Sequence, residues 1–385
     1  MKKLLVAVLA FALFAPAFAV ENVQITGDIQ TIGLNVNDKD VVSVGGDQRG
    51  TTNRVLLGIG ADLVEDVTAK VTLAHENVFG DRAFTGENLD NVWTRTFLAE
   101  AYVNISNVFD ALEVKVGRQF YGDEKSAVMY FGPDYGYAVG NTYQSLDGAT
   151  VRYNGEKLTV TAAYFALVNP ALTPVTDVNL GGLDLNLKLS EELFASAYVY
   201  DVRQKGATAA PAWGFWGVKP VFENDNIKLG AEYTRNYGQH EKGWQVKADL
   251  ALPIGLDNAT ITPRLTYLKS EKGFEAYGNY RPGLMFGTVL GIVNRTGLVP
   301  PTVGDWEIIN AGLCMKFANL EKWGFGLDFY TGELDDEWLG NSWEAKVVYN
   351  VNQYVAFNLT GAVLTGYKHL TASPTAVQLG MNIKF

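Results

Sequence analysis

Residues 376–385 read A-V-Q-L-G-M-N-I-K-F. Val377, Leu379, Met381, Ile383 and Phe385 fall on one face of an extended chain. Gln378, Gly380, Asn382 and Lys384 fall on the other. Strict period-two alternation marks a strand with one apolar and one polar face. In a barrel that crosses a membrane, the apolar face meets lipid and the polar face lines the lumen. The stretch therefore specifies which side of the wall is wet.

The same pattern recurs upstream. Val55, Leu57, Ile59, Ala61 and Leu63 oppose Gly58, Gly60 and Asp62. Trp244, Val246, Ala248, Leu250 and Leu252 oppose Gln245, Lys247 and Asp249. Trp343, Ala345, Val347 and Tyr349 oppose Glu344 and Lys346. The whole chain reads as about eighteen strands of roughly ten residues, the length a tilted transmembrane strand needs. Tight polar turns are expected at Glu65-Asp66, Gly155-Glu156, 190–192, 223–225, 319–321 and Val351-Asn352. They alternate with mostly longer connections at 37–52, 78–93, 121–145, 270–304 and 365–374, and the last four strands are placed at 322–333, 341–350, 353–364 and 375–385. The expected fold is all-β, a transmembrane antiparallel β-barrel with short periplasmic turns and long extracellular loops. An even strand count puts both termini on the periplasmic side. Aromatics gather at strand ends, with Phe317, Trp323, Tyr349 and Tyr354 on the turn side and Phe120, Tyr267, Phe329 and Trp343 on the loop side. Rings at both interfaces are the girdles of such a barrel.

Residues 1–19 read as a cleaved targeting segment, with Lys2 and Lys3 ahead of an apolar run and Ala17-Phe18-Ala19 as the cleavage site. The barrel is then residues 20–385. Removing the two lysines takes the formal charge from -11 to -13. Such an acidic chain does not suit nucleic-acid binding. The single Cys314 makes no internal disulfide and excludes a zinc-finger scaffold. No cofactor is expected.

Barrels of this strand number leave an aqueous channel, and alternation fills the inner face with charge. Lys70, Lys115, Arg152, Lys188, Lys228, Lys247, Arg264, Lys316 and Lys346 point inward, as do Asp28, Asp62, Glu100, Glu113, Asp184, Glu232, Asp249, Asp328 and Glu344. Connection 121–145 is the candidate constriction. It carries Asp123, Glu124, Lys125 and Asp134 among Tyr130, Phe131, Tyr135 and Tyr137. Folding into the lumen would bury the rings and set the charges across the pore. Connection 270–304 holds an apolar run at 283–293, which suggests packing at the mouth or inside it.

The aromatic carboxyl terminus resembles the last strand of bacterial outer-membrane barrels. Val116-Gly117-Arg118-Gln119, Tyr121-Gly122-Asp123-Glu124 and Leu146-Asp147-Gly148 resemble the alginate-export family of outer-membrane channels. That resemblance covers about thirty residues and implies an eighteen-stranded barrel. It implies that Arg118, Gln119, Asp123 and Asp147 lie near the constriction. Alternation alone would set Arg118 beside Val116 on the lipid face. A bulge at Gly117 would turn it inward, and snorkelling at the rim would leave it outside. Matched acids and bases differ from the strongly basic lumen a polyuronate channel needs.

The reading is therefore a porin for passive diffusion of small polar or charged solutes. A selective channel for anionic sugars or polyuronates is the alternative, and a plugged barrel acting as an adhesin or structural protein is the second. An enzyme is not expected, since His75, His240 and His369 have no Ser and acid at suggestive spacing. Asp38/Asp40 and Asp335/Asp336/Glu337 read as solvated loops rather than metal sites. The expected partners are outer-membrane lipid and lipopolysaccharide, the small solutes, and the barrel assembly machinery through the strand ending in Phe385. A homotrimer is one assembly such a barrel permits.

Overall fold

The computed structural model describes residues 21–37, 48–80, 93–124, 126–133, 145–167, 177–205, 212–238, 242–278, 280, 282–289, 305–368 and 373–385. Residues 1–19, Asp38, Asp40, Lys125, Asp134, His240 and His369 lie outside them. The strands run β1 (Glu21–Asn37), β2 (Gln48–Val64), β3 (Val67–Gly80), β4 (Trp93–Val108), β5 (Leu112–Gln119) and β6 (Leu146–Asn154). Next come β7 (Leu158–Leu167), β8 (Asp177–Lys188), β9 (Leu193–Lys205), β10 (Trp213–Glu223) and β11 (Lys228–Gly238). β12 has two segments, Trp244–Ala251 and Ile254–Leu256, both paired with β13 (Ala259–Glu271). β14 (Trp306–Phe317), β15 (Trp323–Leu334), β16 (Glu337–Asn350), β17 (Val355–Thr365) and β18 (Thr375–Lys384) complete a closed 18-strand antiparallel barrel.

Closure is made by β1 and β18, whose register runs from Asp28↔Lys384 to Asn37↔Thr375. Phe385 extends the seam, with its amide donating to the Gly27 carbonyl at 3.0 Å and the Gly27 amide donating back at 2.7 Å. The Phe385 ring lies where a side chain at position 27 would sit, so glycine there makes room for the terminal ring. Every strand thus has two neighbours, which satisfies the backbone where lipid offers no hydrogen bonds.

The faces follow the alternation. Leu379, Val377 and Phe385 are exposed on the outside, while Ala376 is buried inside. Leu57 and Ile59 are exposed, and Arg54 and Leu56 are buried. A wall with apolar residues exposed and polar ones enclosed is the inverse of a soluble sandwich, and suits lipid outside. Among the described residues, no helix is long and apolar enough to cross a membrane.

Several pairings carry register irregularities, and two local features shape the wall most. Thr72 faces Glu100 but Leu73 faces Leu98, so Ala99 is an extra residue and β4 bulges there. The slip turns Phe97 and Arg95 to the inner face. Second, β16 begins at Glu337 rather than at 341, because Asp335 and Asp336 both take positive φ (51° and 63°) and close a two-residue turn. Aspartate tolerates the left-handed region that such a hairpin requires. The Asp305 amide donates to the Asp335 carboxylate at 2.8 Å and holds the turn.

Gly117 sits at φ 129° in β5, and an added Cβ would meet the Ala101 carbonyl oxygen of β4. We expect Gly117→Val to lower barrel stability by about 1–3 kcal/mol, read as an earlier urea midpoint in the gel-mobility assay for folded barrels. An unchanged midpoint would show that β5 relaxes freely.

Candidate pore constriction

Two segments leave the wall and meet inside the barrel. The first, residues 120–133, doubles back at once, pairing Tyr121 with Phe131 and Gly122 with Tyr130. Gly122 takes φ 93° and lies so close to Met129 that no side chain fits. Ser126 Oγ accepts the amides of Val128 and Met129, each at 3.0 Å, and fixes the turn. Ala127, Val128, Met129 and Phe131 are buried in one apolar cluster with inward residues of the wall, among them Phe165, Tyr200, Trp213 and Phe215. Burying each large side chain contributes about 1.5–3 kcal/mol, and water on the loop's outside offers nothing comparable.

Polar contacts orient the segment. The Tyr121 hydroxyl donates to the Asp184 carboxylate, as does the Tyr200 hydroxyl at 2.5 Å. Asp184 is therefore a loop anchor as well as a wall residue. Asp123 lies 3.6 Å from the Lys219 ammonium of β10. The Tyr121 ring packs on Phe165 with centroids 4.9 Å apart.

The second segment, residues 272–289, follows β13. Asn236 of β11 clamps it, accepting the Glu275 amide at 2.9 Å and donating to the Glu275 carbonyl at 2.7 Å. Farther along, Glu344 of β16 accepts the amides of Leu284 and Met285 at 2.6 and 3.0 Å. The two segments join where the Tyr277 amide donates to the Val128 carbonyl (2.8 Å) and the Tyr130 amide donates to the Tyr277 carbonyl (2.7 Å). Gly278 lies directly against Ala127, a close approach that only glycine permits. Burial pushes the Glu275 carboxyl up to about 7.

Space remains on two sides of residues 120–133. A cavity of about 450 Å³ is lined by Lys115, Arg152, Lys219, Glu113, Asp123 and Glu232, with Asp184 behind. A second of about 340 Å³ is lined by Asp28, Lys70, Glu100, Phe120 and Pro133. Lys70 pairs with Glu100 at 2.8 Å. The Lys115 ammonium stands 4.8 Å from the Tyr102 ring centroid. Gln119 lines the larger cavity and is buried, and Glu124 is exposed beside Asp123. Arg152 is exposed. Lys247 pairs with Asp249 at 2.8 Å and faces Tyr280. Arg264 reaches Asp328 at 2.7 Å across Gly312, whose missing side chain leaves room for the pair. Lys346 is exposed on the inner face.

Two expected placements change, and a third residue takes a different role. Arg118 is opposite Ala101 and Asp147, between inward Glu100 and Tyr102 on one side and inward Leu146 on the other. Both Arg118 and Asp147 therefore face outward, and they form a two-point ion pair with contacts of 2.8 and 2.6 Å. The register passes Gly117 without slipping, so no bulge turns Arg118 to the lumen. Glu344 does face inward, but its carboxylate is buried and spent on loop amides. Conversely, an inner row, buried except at its Arg95 end, was not singled out from the sequence. Gln30, Arg54, Glu76 and Arg95 are successive cross-strand partners. Arg54 donates to Gln30 at 2.9 Å and Arg95 pairs with Glu76 at 2.7 Å. Alternation through Gly58 and Gly60 could have found Arg54. Only the Ala99 bulge brings in Arg95.

Among the described residues there is no group of three or more His, Cys, Asp or Glu that could hold a metal ion. No family model matches the sequence, and no curated protein matches it. Solved structures do resemble it. OccK5 of Pseudomonas aeruginosa has a TM-score of 0.62 and 13% identity, with 96% of this chain and 99% of that one covered. The likeness is one of fold, a closed 18-strand barrel. OprD of Pseudomonas aeruginosa gives 0.59 and 12%, covering 97% of each chain. OccAB4 of Acinetobacter baumannii gives 0.57 and 12%, over 94% of this chain and 98% of that one. The expected alginate-export likeness is not supported, and the solved structures that resemble the chain are OprD/Occ barrels.

Two outcomes follow. Asp184→Asn together with Tyr121→Phe should loosen residues 120–133 and raise single-channel current noise, whereas an unchanged trace would show the apolar cluster suffices. Since the Glu275 carboxyl has a raised pKa, docking of 272–289 should be firmest below about 4.5 and weaken as pH rises to about 7. Hydrogen exchange of this segment should lose that pH dependence in Glu275→Gln.

Proposed function

We propose that this protein is an outer-membrane porin that passes small polar or charged solutes by passive diffusion. The observation that carries the reading is the charged inner wall with space on both sides of an inserted segment. In this reading residues 120–133 and 272–289 set the size limit, and the facing charges set the field across the passage. Lys115, Arg152, Lys219, Glu113, Asp123, Asp184 and Glu232 line the larger cavity with both signs. A mixed lining supports broad selection of small dipolar or singly charged solutes over a polyanion, which a one-signed field would concentrate. Lys70, Gln119, Lys247, Arg264 and Lys346 extend that lining along the wall. Lys125 and Asp134 keep their proposed place in the same loop.

Location in the outer membrane rests on the exposed apolar belt and on the similarity to an outer membrane protein, OpdK of Pseudomonas aeruginosa (TM-score 0.62, 12% identity). The strand ending in Phe385 is then the segment offered to the barrel assembly machinery. One observation favours a plugged barrel instead. The apolar cluster of the two inserted segments reaches inward residues from β1 to β18. Conductance separates the two.

The deciding experiment is single-channel recording of the refolded protein in a planar bilayer under a salt gradient. Ohmic conductance is expected. Lys115→Gln with Arg152→Gln should shift the reversal potential toward cations, because two of the three cavity cations are lost. A silent but folded barrel would favour the plugged reading. An unchanged reversal potential would remove both residues from the conducting path.

A further inference from the structure

The outer wall carries a cation that the lumen cannot use. Arg235 of β11 lies between Thr234 and Asn236, both buried inside the barrel (0% and 2% exposed), so it points outward. It is exposed and has no ion-pair or hydrogen-bond partner among the described residues. Its cross-strand neighbours are Trp216 on β10 and Trp244 on β12. These rings also face outward, since Phe215 and Gln245 beside them are buried. Trp216 further meets the Tyr233 ring edge-on at 5.8 Å.

The row marks a depth. Toward the periplasmic turns the outward residues are apolar, with Leu229 on β11, Val218 on β10 and Leu193 on β9. An arginine is costly at the middle of the hydrocarbon and costs little at the interface. Tryptophan favours that same interface. Farther toward the loops, Arg203 of β9 is exposed and meets Asp201 at 2.5 Å. Tyr237 packs over Gly214 beside Asp201 on the same face, with its hydroxyl donating to the Tyr200 carbonyl at 2.9 Å. From Arg203 a continuous cross-strand row passes through Asn179, Ala166 and Asp147 to Arg118. Asp201 and Asp147 neutralise two of these three arginines. Among the described residues Arg235, framed by two indoles, is left with its charge unmatched.

We infer that Arg235, with Trp216 and Trp244 on either side and Arg203 above, is a binding site for a phosphate group of an outer-leaflet glycolipid. This rests on the outer-membrane reading given above. The guanidinium supplies fork-shaped donors that match phosphate oxygens, and the indoles pack against the sugar and the acyl-chain base. An unpaired cation at the end of the apolar belt favours an anionic lipid over a second copy of the chain, whose own matching face would bring another Arg235 against it.

The test is native mass spectrometry of the full barrel in neutral detergent, titrated with diphosphorylated lipid A, fully dephosphorylated lipid A, and inorganic phosphate. The wild-type protein should bind the diphosphorylated lipid at least tenfold more tightly than the dephosphorylated one, with no retained inorganic phosphate. Arg235→Gln should lose at least fivefold of that preference, and Arg235→Lys should recover part of it. Equal binding by wild type and Arg235→Gln would overturn the site. So would a dimer or trimer mass that Arg235→Gln abolishes without any lipid dependence, since that assigns the row to a contact between copies. Conductance of Arg235→Gln is expected to match wild type. If neither conducts, the porin reading fails while the titration still decides the lipid site.

Discussion

In hydrocarbon, a backbone amide without a partner costs several kcal/mol, and no water is present to repair it. Everything else in this molecule follows from meeting that demand. The only sheet without an edge is a closed one, so β18 must find β1. The seam is built for it, with a run of paired residues from Asp28 to Asn37 and a last exchange between Phe385 and Gly27. Once closed, the wall has a fixed inside and outside, and the alternation assigns each side chain to lipid or lumen.

The interior then poses the opposite problem. A wide lumen has room for water, yet the two inserted segments bring buried backbone groups with them. Wall side chains satisfy several of these. Asn236 and Glu344 accept amides of residues 272–289, and Asp184 receives the Tyr121 hydroxyl from residues 120–133. The same carboxylates that would have lined an empty pore instead hold its internal framework. What remains facing open space is a subset of the wall, chiefly around Arg152, Lys115 and Lys70.

Much of this was legible from pattern alone. The apolar faces of residues 377–385 and 55–63, and the inward sense of Asp184, Asp328, Arg264 and Glu344, follow from period two and appear as expected. Period two also predicted Arg118 outside, and the local motif around Gly117 argued the other way; the register sides with the period. What sequence could not show falls into two kinds. The extra residue at Ala99 reverses the sense of Arg95 and Phe97, and no composition signal marks it. Asp335 and Asp336 close a turn whose tightness depends on backbone angles rather than polarity. The second kind is distance along the chain. Nothing near Tyr121 announces Asp184, and nothing near Glu344 announces Leu284, because those partners meet only after the barrel has closed.

The joint between Val128, Tyr130 and Tyr277 has an evolutionary consequence. Residues 120–133 and 272–289 arise between different strand pairs, and each could drift in length independently if it stood alone. Sharing a two-bond splice, with Gly278 pressed on Ala127, makes them one inheritance unit. At the splice, a change in one segment needs a matching change in the other before the pore regains a defined bore.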